Sequence, residues 1–229
     1  PFPPAQAVLE AVKAEVDRLN LYPDPEGKVL REKLAAHYGV QPENIFLANG
    51  SDELLSYFFM TFCDPSRPVA FPAVSYGFYP VYADLYGLDA QAVPLRENFR
   101  LEPEDYCGLH KNIVIANPNA PTGRAIPLSA IEAILQTNPD HVVLMDEAYI
   151  DFGGESCLPL LPKYDNLLIC QTFSKFRSLA GGRLGFALGH PALIADLDKI
   201  RYSTNSYDVN RLTLAAAIAT IDNNNYYEA

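Results

Sequence analysis

Short, wholly apolar runs alternate with amphipathic stretches along most of this chain. The amphipathic stretches carry apolar residues at helical spacing and occupy residues 53–62, 75–86, 128–137 and 191–200. The apolar runs are as short as typical strands and lie at residues 45–48, 68–71, 113–116, 142–145, 167–170 and 184–188. A strand that is apolar throughout must be covered on both sides. The pattern therefore predicts an α/β fold, with a mainly parallel sheet and helices on both faces.

The segments on either side of this alternating region also predict helices. Apolar residues at helical spacing predict a helix over residues 5–19, which Pro23 and Pro25 separate from the next one. That next helix spans residues 28–38 and is closed by Gly39, and a further helical stretch begins near Asn210. We expect residues 1–20 to form an N-terminal helix or arm and residues 21–229 to form one large domain.

Composition and charge exclude several classes of function for this chain. The 229 residues are 49% hydrophobic, enough for a sizeable core, and carry 17 Lys and Arg against 28 Asp and Glu. A net charge of −11 argues against nucleic-acid partners and against an anionic membrane surface. The N-terminal residues lack the basic region of a signal peptide, and the four histidines show no ligand spacing. We expect scattered, reduced cysteines in a cytoplasmic protein without a metal site.

Small, polar or ionisable residues follow four of the predicted strands, at residues 49–52, 117–123, 146–149 and 172–175. Ligands of open α/β sheets bind outside the carboxyl ends of the strands. The four segments therefore predict one composite site at this edge of the sheet.

The first of these segments suits an anion. Gly50 and Ser51 precede a predicted helix, whose free N–H groups and macrodipole attract a phosphate. Asp52 either shares in this site or simply caps the helix. The chain has no GxGxxG or Walker A motif, so neither a dinucleotide nor a nucleoside triphosphate is expected. The glycosylation sequon that begins at Asn49 is interpreted as a turn.

Three ionisable residues suit chemistry on an aldehyde cofactor. Lys175 follows a buried strand, and an apolar setting would favour its neutral amine and Schiff-base formation; the alternative is a solvated surface lysine. Asp146 ends an apolar strand, where the pyridinium nitrogen of pyridoxal 5′-phosphate (PLP) would satisfy its carboxylate; the alternative is a turn cap. Arg183 follows two glycines and would reach a phosphate, unless it forms a surface ion pair.

The segment TFSKFRSLAGGRLG at residues 172–185 resembles the lysine signature of fold-type I, aspartate-aminotransferase-like PLP enzymes. The segments at residues 22–25, 50–53 and 146–152 extend this resemblance over essentially the whole chain. Within these enzymes, the motifs are most similar to those of the histidinol-phosphate aminotransferases.

The resemblance implies a role for each matching residue. Lys175 would bind PLP covalently and move the substrate proton, while Asp146 would pair with the ring nitrogen. The remaining cofactor contacts would come from Tyr149 to the ring hydroxyl, from Tyr76 stacked on the ring, and from Gly50, Ser51, Asp52, Ser174 and Arg183 around the phosphate. Tyr22 would reach the cofactor phosphate of a neighbouring subunit, which implies a homodimer with shared sites.

The sequence departs from the family pattern in two places. Ala120 stands where the family has an asparagine directly before Pro-Thr-Gly, and either Asn117 or Asn119 is expected to replace it. Family members also continue into a small C-terminal domain that carries the substrate-carboxylate arginine. We therefore expect a partial chain that lacks this domain.

The resemblance implies amino transfer from a small-molecule donor, L-histidinol phosphate, to a 2-oxo acid, 2-oxoglutarate. Alternatives of the same fold are an aromatic-amino-acid aminotransferase and a phosphothreonine-type decarboxylase. A PLP-binding module without turnover, or a site for another phosphate ligand, would belong to a different class.

Overall fold

A computed structural model describes residues 2–228 as a seven-stranded sheet flanked by helices. The strands are β1 Ile45–Ala48, β2 Val69–Pro72, β3 Ala90–Val93, β4 Asn112–Ala116, β5 Val143–Asp146, β6 Leu167–Thr172 and β7 Gly185–Gly189. Their order is β1-β7-β6-β5-β4-β2-β3. Among the described strands, β7 alone runs antiparallel to its neighbours, so the predicted mainly parallel sheet is confirmed.

The helices cover both faces of the sheet, as predicted. They are α1 Gln6–Glu15, α2 Lys28–Tyr38, α3 Ser51–Phe62, α4 Phe78–Leu85, α5 Leu128–Thr137, α6 Pro191–Thr204, α7 Arg211–Asp222 and α8 Asn225–Glu228. Successive residues of β1 point to opposite faces: Ile45 packs with α2 and α7, and Phe46 packs with α3 and α6. This double coverage explains why the strands are apolar without alternation.

Several predicted boundaries shift by a few residues. The helix expected over residues 5–19 ends at Glu15 and continues as a 3₁₀ turn at Val16–Arg18. The helix expected over residues 75–86 begins only at Phe78, and α6 extends to Thr204. Strand β3 was not predicted, because it lies at the sheet edge and only Val93 of its residues is buried.

Two further observations concern the described residues as a whole. Between residues 2 and 228, no helix has the length and apolar character needed to cross a bilayer. All four cysteines are free thiols.

Helix α1 packs against α7 and contributes the buried Val8 to the main core. The expected domain division at residue 20 stays a prediction.

The topology determines which loops meet. Strands β1, β4, β5 and β6 run parallel, so their carboxyl ends lie at one edge of the sheet. Because β7 runs in the opposite direction, its first residue lies at this same edge, and Arg183 precedes it by two residues. The edge therefore collects side chains from four connections, because one connection joins β6 to β7.

Candidate active site

A single pocket at this edge is lined by residues from all the expected segments. The side chains that meet there are Ser51, Asp52, Tyr76, Asp146, Tyr149, Ser174, Lys175 and Arg183, together with Ala116, Pro118, Ala120 and Ala148. These residues are scattered over more than half of the chain and come together because the strands that carry them are parallel.

Asp146 forms the deepest polar group of the pocket. It is the last residue of β5, and only 4% of its surface is exposed. Its Oδ2 accepts a hydrogen bond from the Tyr79 hydroxyl at 2.7 Å, and its Oδ1 accepts one from the Ala148 amide at 3.1 Å. Burial raises the pKa of this carboxyl, and these two hydrogen bonds act in the opposite direction. No described cation lies within 4.0 Å of it, so a cationic ligand atom would stabilise the charge.

The amino terminus of α3 forms an anion-binding cradle at the other side of the pocket. Gly50 precedes the helix with φ +87°, and no side chain caps the first N–H groups of α3. Ser51 and Asp52 of this first turn line the pocket. A Cβ atom on Gly50 would lie 2.6 Å from the Arg183 guanidinium. A Cβ atom on Gly185 would lie 2.5 Å from the backbone of Gly50 and Ser51. Gly185 needs glycine because the backbone approaches so closely, and Gly50 needs it because its φ is positive.

Asp52 organises this cradle and does not cap the helix. Its Oδ2 accepts from Arg183 Nη2 at 3.1 Å, and its Oδ1 accepts from the Tyr76 hydroxyl at 2.7 Å. The helix-cap alternative for Asp52 is therefore wrong, because Gly50 occupies the cap position. The ion-pair alternative for Arg183 is correct, but its partner lies inside the pocket. The pair orients the guanidinium beside the helix terminus, where it can also reach an anion. The sequon at Asn49 forms a bend, as predicted.

Lys175 lies in the pocket but not in the apolar setting that the sequence predicted. The residue is exposed, and its Nζ lies 5.2 Å from the centroid of the Tyr149 ring. The buried residues Thr172 and Phe173 precede Lys175, which lies in the turn after them and is exposed, as in the alternative of a solvated lysine. Ser174 is half-buried, and its amide donates to the Thr172 hydroxyl at 3.1 Å.

The two asparagines expected to replace the residue at Ala120 do not line this pocket. The Asn117 side chain is engaged with the backbone of Ile126, accepting at 2.9 Å and donating at 3.3 Å. The Asn119 side chain accepts from Ser75 at 2.6 Å and donates to the backbone of Val74 at 3.0 Å. Both side chains shape the loop, and Ala120 itself lines the pocket.

Tyr22 lies away from the pocket of its own chain. Its ring stacks on Tyr207 with centroids 4.6 Å apart, and its carbonyl accepts from Arg211 at 2.8 Å. The residue is 76% exposed, so its side chain is available at the surface.

Tyr79, which donates to Asp146, was not among the predicted site residues. A signal was available, because Tyr76, Tyr79 and Tyr82 are spaced three residues apart and share one side of a predicted helix. All three hydroxyls point to the pocket residues Asp52 and Asp146; that of Tyr82 donates to the Asp52 carbonyl at 2.8 Å.

An exposed lysine, a buried carboxylate and an arginine beside a helix terminus thus share one pocket on an α/β sheet. The chain matches the family described as aminotransferase class I and II over residues 1–228, and it belongs to that family. The family match confirms the resemblance to the aspartate-aminotransferase-like enzymes.

Among the similar proteins is histidinol-phosphate aminotransferase 1 of Hydrogenovibrio crunogenus, 49% identical over 229 residues. Histidinol-phosphate aminotransferase 2 of Dechloromonas aromatica is 47% identical over 232 residues. The alignments cover 100% and 99% of this chain, but only 64% and 65% of the relatives. The chain therefore spans less than two thirds of the length of these curated relatives.

Solved structures agree with this assignment. The structure of histidinol-phosphate aminotransferase from Sinorhizobium meliloti in complex with pyridoxal-5′-phosphate superposes with a TM-score of 0.91 at 29% identity. The match covers 99% of this chain and 63% of that one. Aspartate aminotransferase from Thermus thermophilus has a TM-score of 0.88 at 23% identity, and this likeness concerns the fold alone.

Proposed function

We propose that this chain is the large-domain part of a PLP-dependent aminotransferase. The reaction is amino transfer from L-histidinol phosphate to 2-oxoglutarate, giving imidazole acetol phosphate and L-glutamate in histidine biosynthesis. The observation that carries the proposal is one pocket with an amine, a buried carboxylate without a cationic partner, and an anion cradle. The choice of substrate rests on the names of the relatives.

The residues present fit PLP at both ends of the cofactor. Asp146 offers an acceptor to a protonated ring nitrogen, and such a nitrogen would supply the positive charge that this buried carboxylate lacks. When bound, PLP supplies the electron sink for the carbanion chemistry. Tyr79 and the Ala148 amide hold the Asp146 carboxylate in one orientation, so it does not need to rearrange as charge develops.

Arg183, Ser51 and the first turn of α3 would hold the cofactor phosphate. The N–H groups of this turn lack a side-chain cap, and the Arg183 guanidinium already lies beside Gly50. Ser174 lines the same pocket and offers a hydroxyl donor. Asp52 contributes by orienting Arg183, since an ionised carboxylate cannot donate a hydrogen bond.

Lys175 would anchor the cofactor aldehyde and afterwards move the substrate proton through its Nζ. Its exposure at the pocket edge leaves the amine free to reach an incoming substrate. Tyr149 lies beneath this amine and brings a phenol hydroxyl to the cofactor, while Tyr76 provides an aromatic wall. The expected homodimer with Tyr22 reaching a neighbouring site, the cytoplasmic location and the domain division at residue 20 belong to this proposal.

Absorbance of the full-length protein with PLP tests both the cofactor and the substrate. Adding L-histidinol phosphate without keto acid should remove the band of the lysine-bound cofactor. It should also release about one equivalent of imidazole acetol phosphate per site. Lys175→Ala should show neither the band nor a borohydride-trapped adduct. Lys199→Ala is the matched control, because Lys199 is an exposed lysine paired with Asp196 at 2.7 Å on α6.

Each outcome bears on a different part of the proposal. A band that ignores L-histidinol phosphate but responds to phenylalanine or phosphothreonine would retain the cofactor and refute the substrate. A bound cofactor that responds to no amine would favour a binding module without turnover. Wild-type protein that forms no band and no trapped adduct on Lys175 would refute the PLP site.

A further inference from the structure

Two loops of the active site lie side by side, and their contacts begin in the pocket and continue beyond it. The first is the Lys175 turn, residues 173–179, and the second is the 147–153 loop, which follows Asp146. Lys175 Nζ lies over the Tyr149 ring at 5.2 Å from its centroid. The rings of Phe176 and Phe152 meet nearly at right angles, with centroids 5.9 Å apart. Two successive residues of the turn thus contact the loop.

Arg177 continues this pairing with a buried charge. Its Nη1 lies 3.6 Å from the Asp151 carboxylate, and only 2% of the residue is exposed. The guanidinium also lies 5.3 Å from the centroid of Phe173. Its Nη2 donates to the Tyr38 hydroxyl at 3.0 Å, whereas its Nε and Nη1 have no hydrogen-bond partner among the described residues.

A chain of hydrogen bonds leads from Arg177 back to the residue after Asp146. The Tyr38 hydroxyl donates to Gln171 Oε1 at 2.6 Å, and Gln171 Nε2 donates to Glu147 Oε2 at 2.9 Å. Glu147 Oε1 accepts from the Cys157 amide at 2.6 Å. The chain therefore joins the Lys175 turn, α2, β6 and the loop that carries Tyr149.

An arginine and a glutamic acid occupy the two ends of this chain. A guanidinium stays charged in proteins, and a buried charge is stable only with partners of opposite sign or with hydrogen bonds. Glu147 is 1% exposed, and burial raises the pKa of its carboxyl against the hydrogen bonds that it accepts. Moving the Lys175 turn away from the loop would separate the guanidinium from the Asp151 carboxylate and would break one of the hydrogen bonds of the chain, so these contacts resist such a movement.

We propose that Arg177 is a positioning residue for Lys175: through Tyr38, Gln171 and Glu147 it holds the Lys175 turn against the loop that carries Asp146 and Tyr149. The inference rests on the proposed function of Lys175, and it deepens that function by naming what sets the position of the amine. Arg177 itself does not line the pocket.

The first test measures hydrogen exchange of the full-length protein without PLP. The amides of Ser178 and Leu179 donate to carbonyls within the turn at 3.2 and 3.0 Å, so their exchange reports on its order. Arg177→Met should accelerate both by at least about tenfold relative to the amides of β5, because a buried hydrogen-bond donor is lost. Arg177→Lys, which keeps the charge, should give a smaller change.

The second test measures the reaction of the loaded enzyme. Arg177→Met should lower kcat by about 10- to 100-fold, since small displacements of a reacting group have effects of this size. It should also slow borohydride trapping at Lys175 while leaving KM nearly unchanged. Tyr38→Phe removes only a hydroxyl from the chain and should change kcat in the same direction. Tyr38→Phe therefore still tests the proposal if Arg177→Met does not fold.

The control is Ile134→Ala, which opens a cavity at a buried position of α5, a helix that carries none of the residues of this hydrogen-bond chain. Ile134→Ala should destabilise the protein without changing kcat or the exchange rates of the Ser178 and Leu179 amides relative to those of β5. The proposal is overturned if Arg177→Met and Tyr38→Phe match wild type in both readouts, or if Ile134→Ala reproduces their effects. Wild-type protein that never attaches PLP would instead refute the proposed function, while the exchange result would still decide whether Arg177 orders the turn.

Discussion

The hydrogen bond from Tyr79 to Asp146 allows a quantitative test of the buried carboxylate. Tyr79→Phe removes one hydroxyl from a side chain that is fully buried and leaves Asp146 Oδ2 without its donor at 2.7 Å. A hydrogen bond to a charged group contributes about 1.5–3 kcal/mol, and one between neutral groups about 0.5–1.5 kcal/mol. The loss in unfolding free energy should therefore depend on whether Asp146 is ionised.

The sign of the pH dependence follows from the pKa of Asp146. Burial raises this pKa in the folded state, so the folded protein holds the proton more tightly than the unfolded chain. Stability conferred in this way is present at acid pH and is lost as the pH rises through the folded pKa. The hydrogen bond from Tyr79 lowers the same pKa, so removing the Tyr79 hydroxyl should increase the stability that is lost as the pH rises. The tyrosine does not titrate here, because burial raises the pKa of Tyr79 well above 10.

The assay is urea unfolding of wild type, Tyr79→Phe and Tyr82→Phe between pH 5 and pH 9. Tyr82 is the matched control, since it lies one helical turn away and donates to a neutral carbonyl, that of Asp52, at 2.8 Å. We expect Tyr79→Phe to cost about 1 kcal/mol more at the alkaline end than at the acid end, and Tyr82→Phe to show no such slope. The expectation is refuted if the loss of unfolding free energy depends equally on pH in the two variants, or if it is the same at every pH for Tyr79→Phe.

Three further substitutions test other parts of the site. Gly185→Ala places a Cβ atom 2.5 Å from the backbone of Gly50 and Ser51; it should destabilise the protein by about 1–3 kcal/mol, as overpacking does, and weaken PLP binding in a fluorescence titration. Wild-type values for both would contradict the close approach. Lys175→Ala removes an exposed side chain, so its thermal midpoint should stay within about 2 °C of wild type, since surface changes are worth within about 0.5 kcal/mol; a large drop would reveal a structural role. Burial raises the pKa of Glu147, so the stability that its protonated form contributes is lost as the pH rises. Glu147→Gln should therefore flatten the pH dependence of the unfolding free energy between pH 5 and pH 9. An unchanged pH dependence in urea unfolding would show that Glu147 does not titrate there.

Local patterns were sufficient for the strands that the sheet buries on both sides and for the segments that follow them. An apolar run such as that of β5 is recognisable because each of its residues must face a covered surface. Asp146 ends such a run and Lys175 follows another within a few residues, which places both at the carboxyl edge. Strand β3 lacked this signal because an edge strand is covered on fewer sides.

The surroundings of each site residue depended on chain segments that are distant in sequence. Tyr79 reaches Asp146 across 67 positions, and Tyr38 reaches Gln171 across 133. Lys175 is exposed, and Asn119 is engaged by Ser75, because neighbouring loops and α4 determine the space and partners available to them. Spacing along a chain specifies which face or edge a residue occupies. Its burial, its hydrogen bonds and therefore its pKa arise only when distant elements pack together.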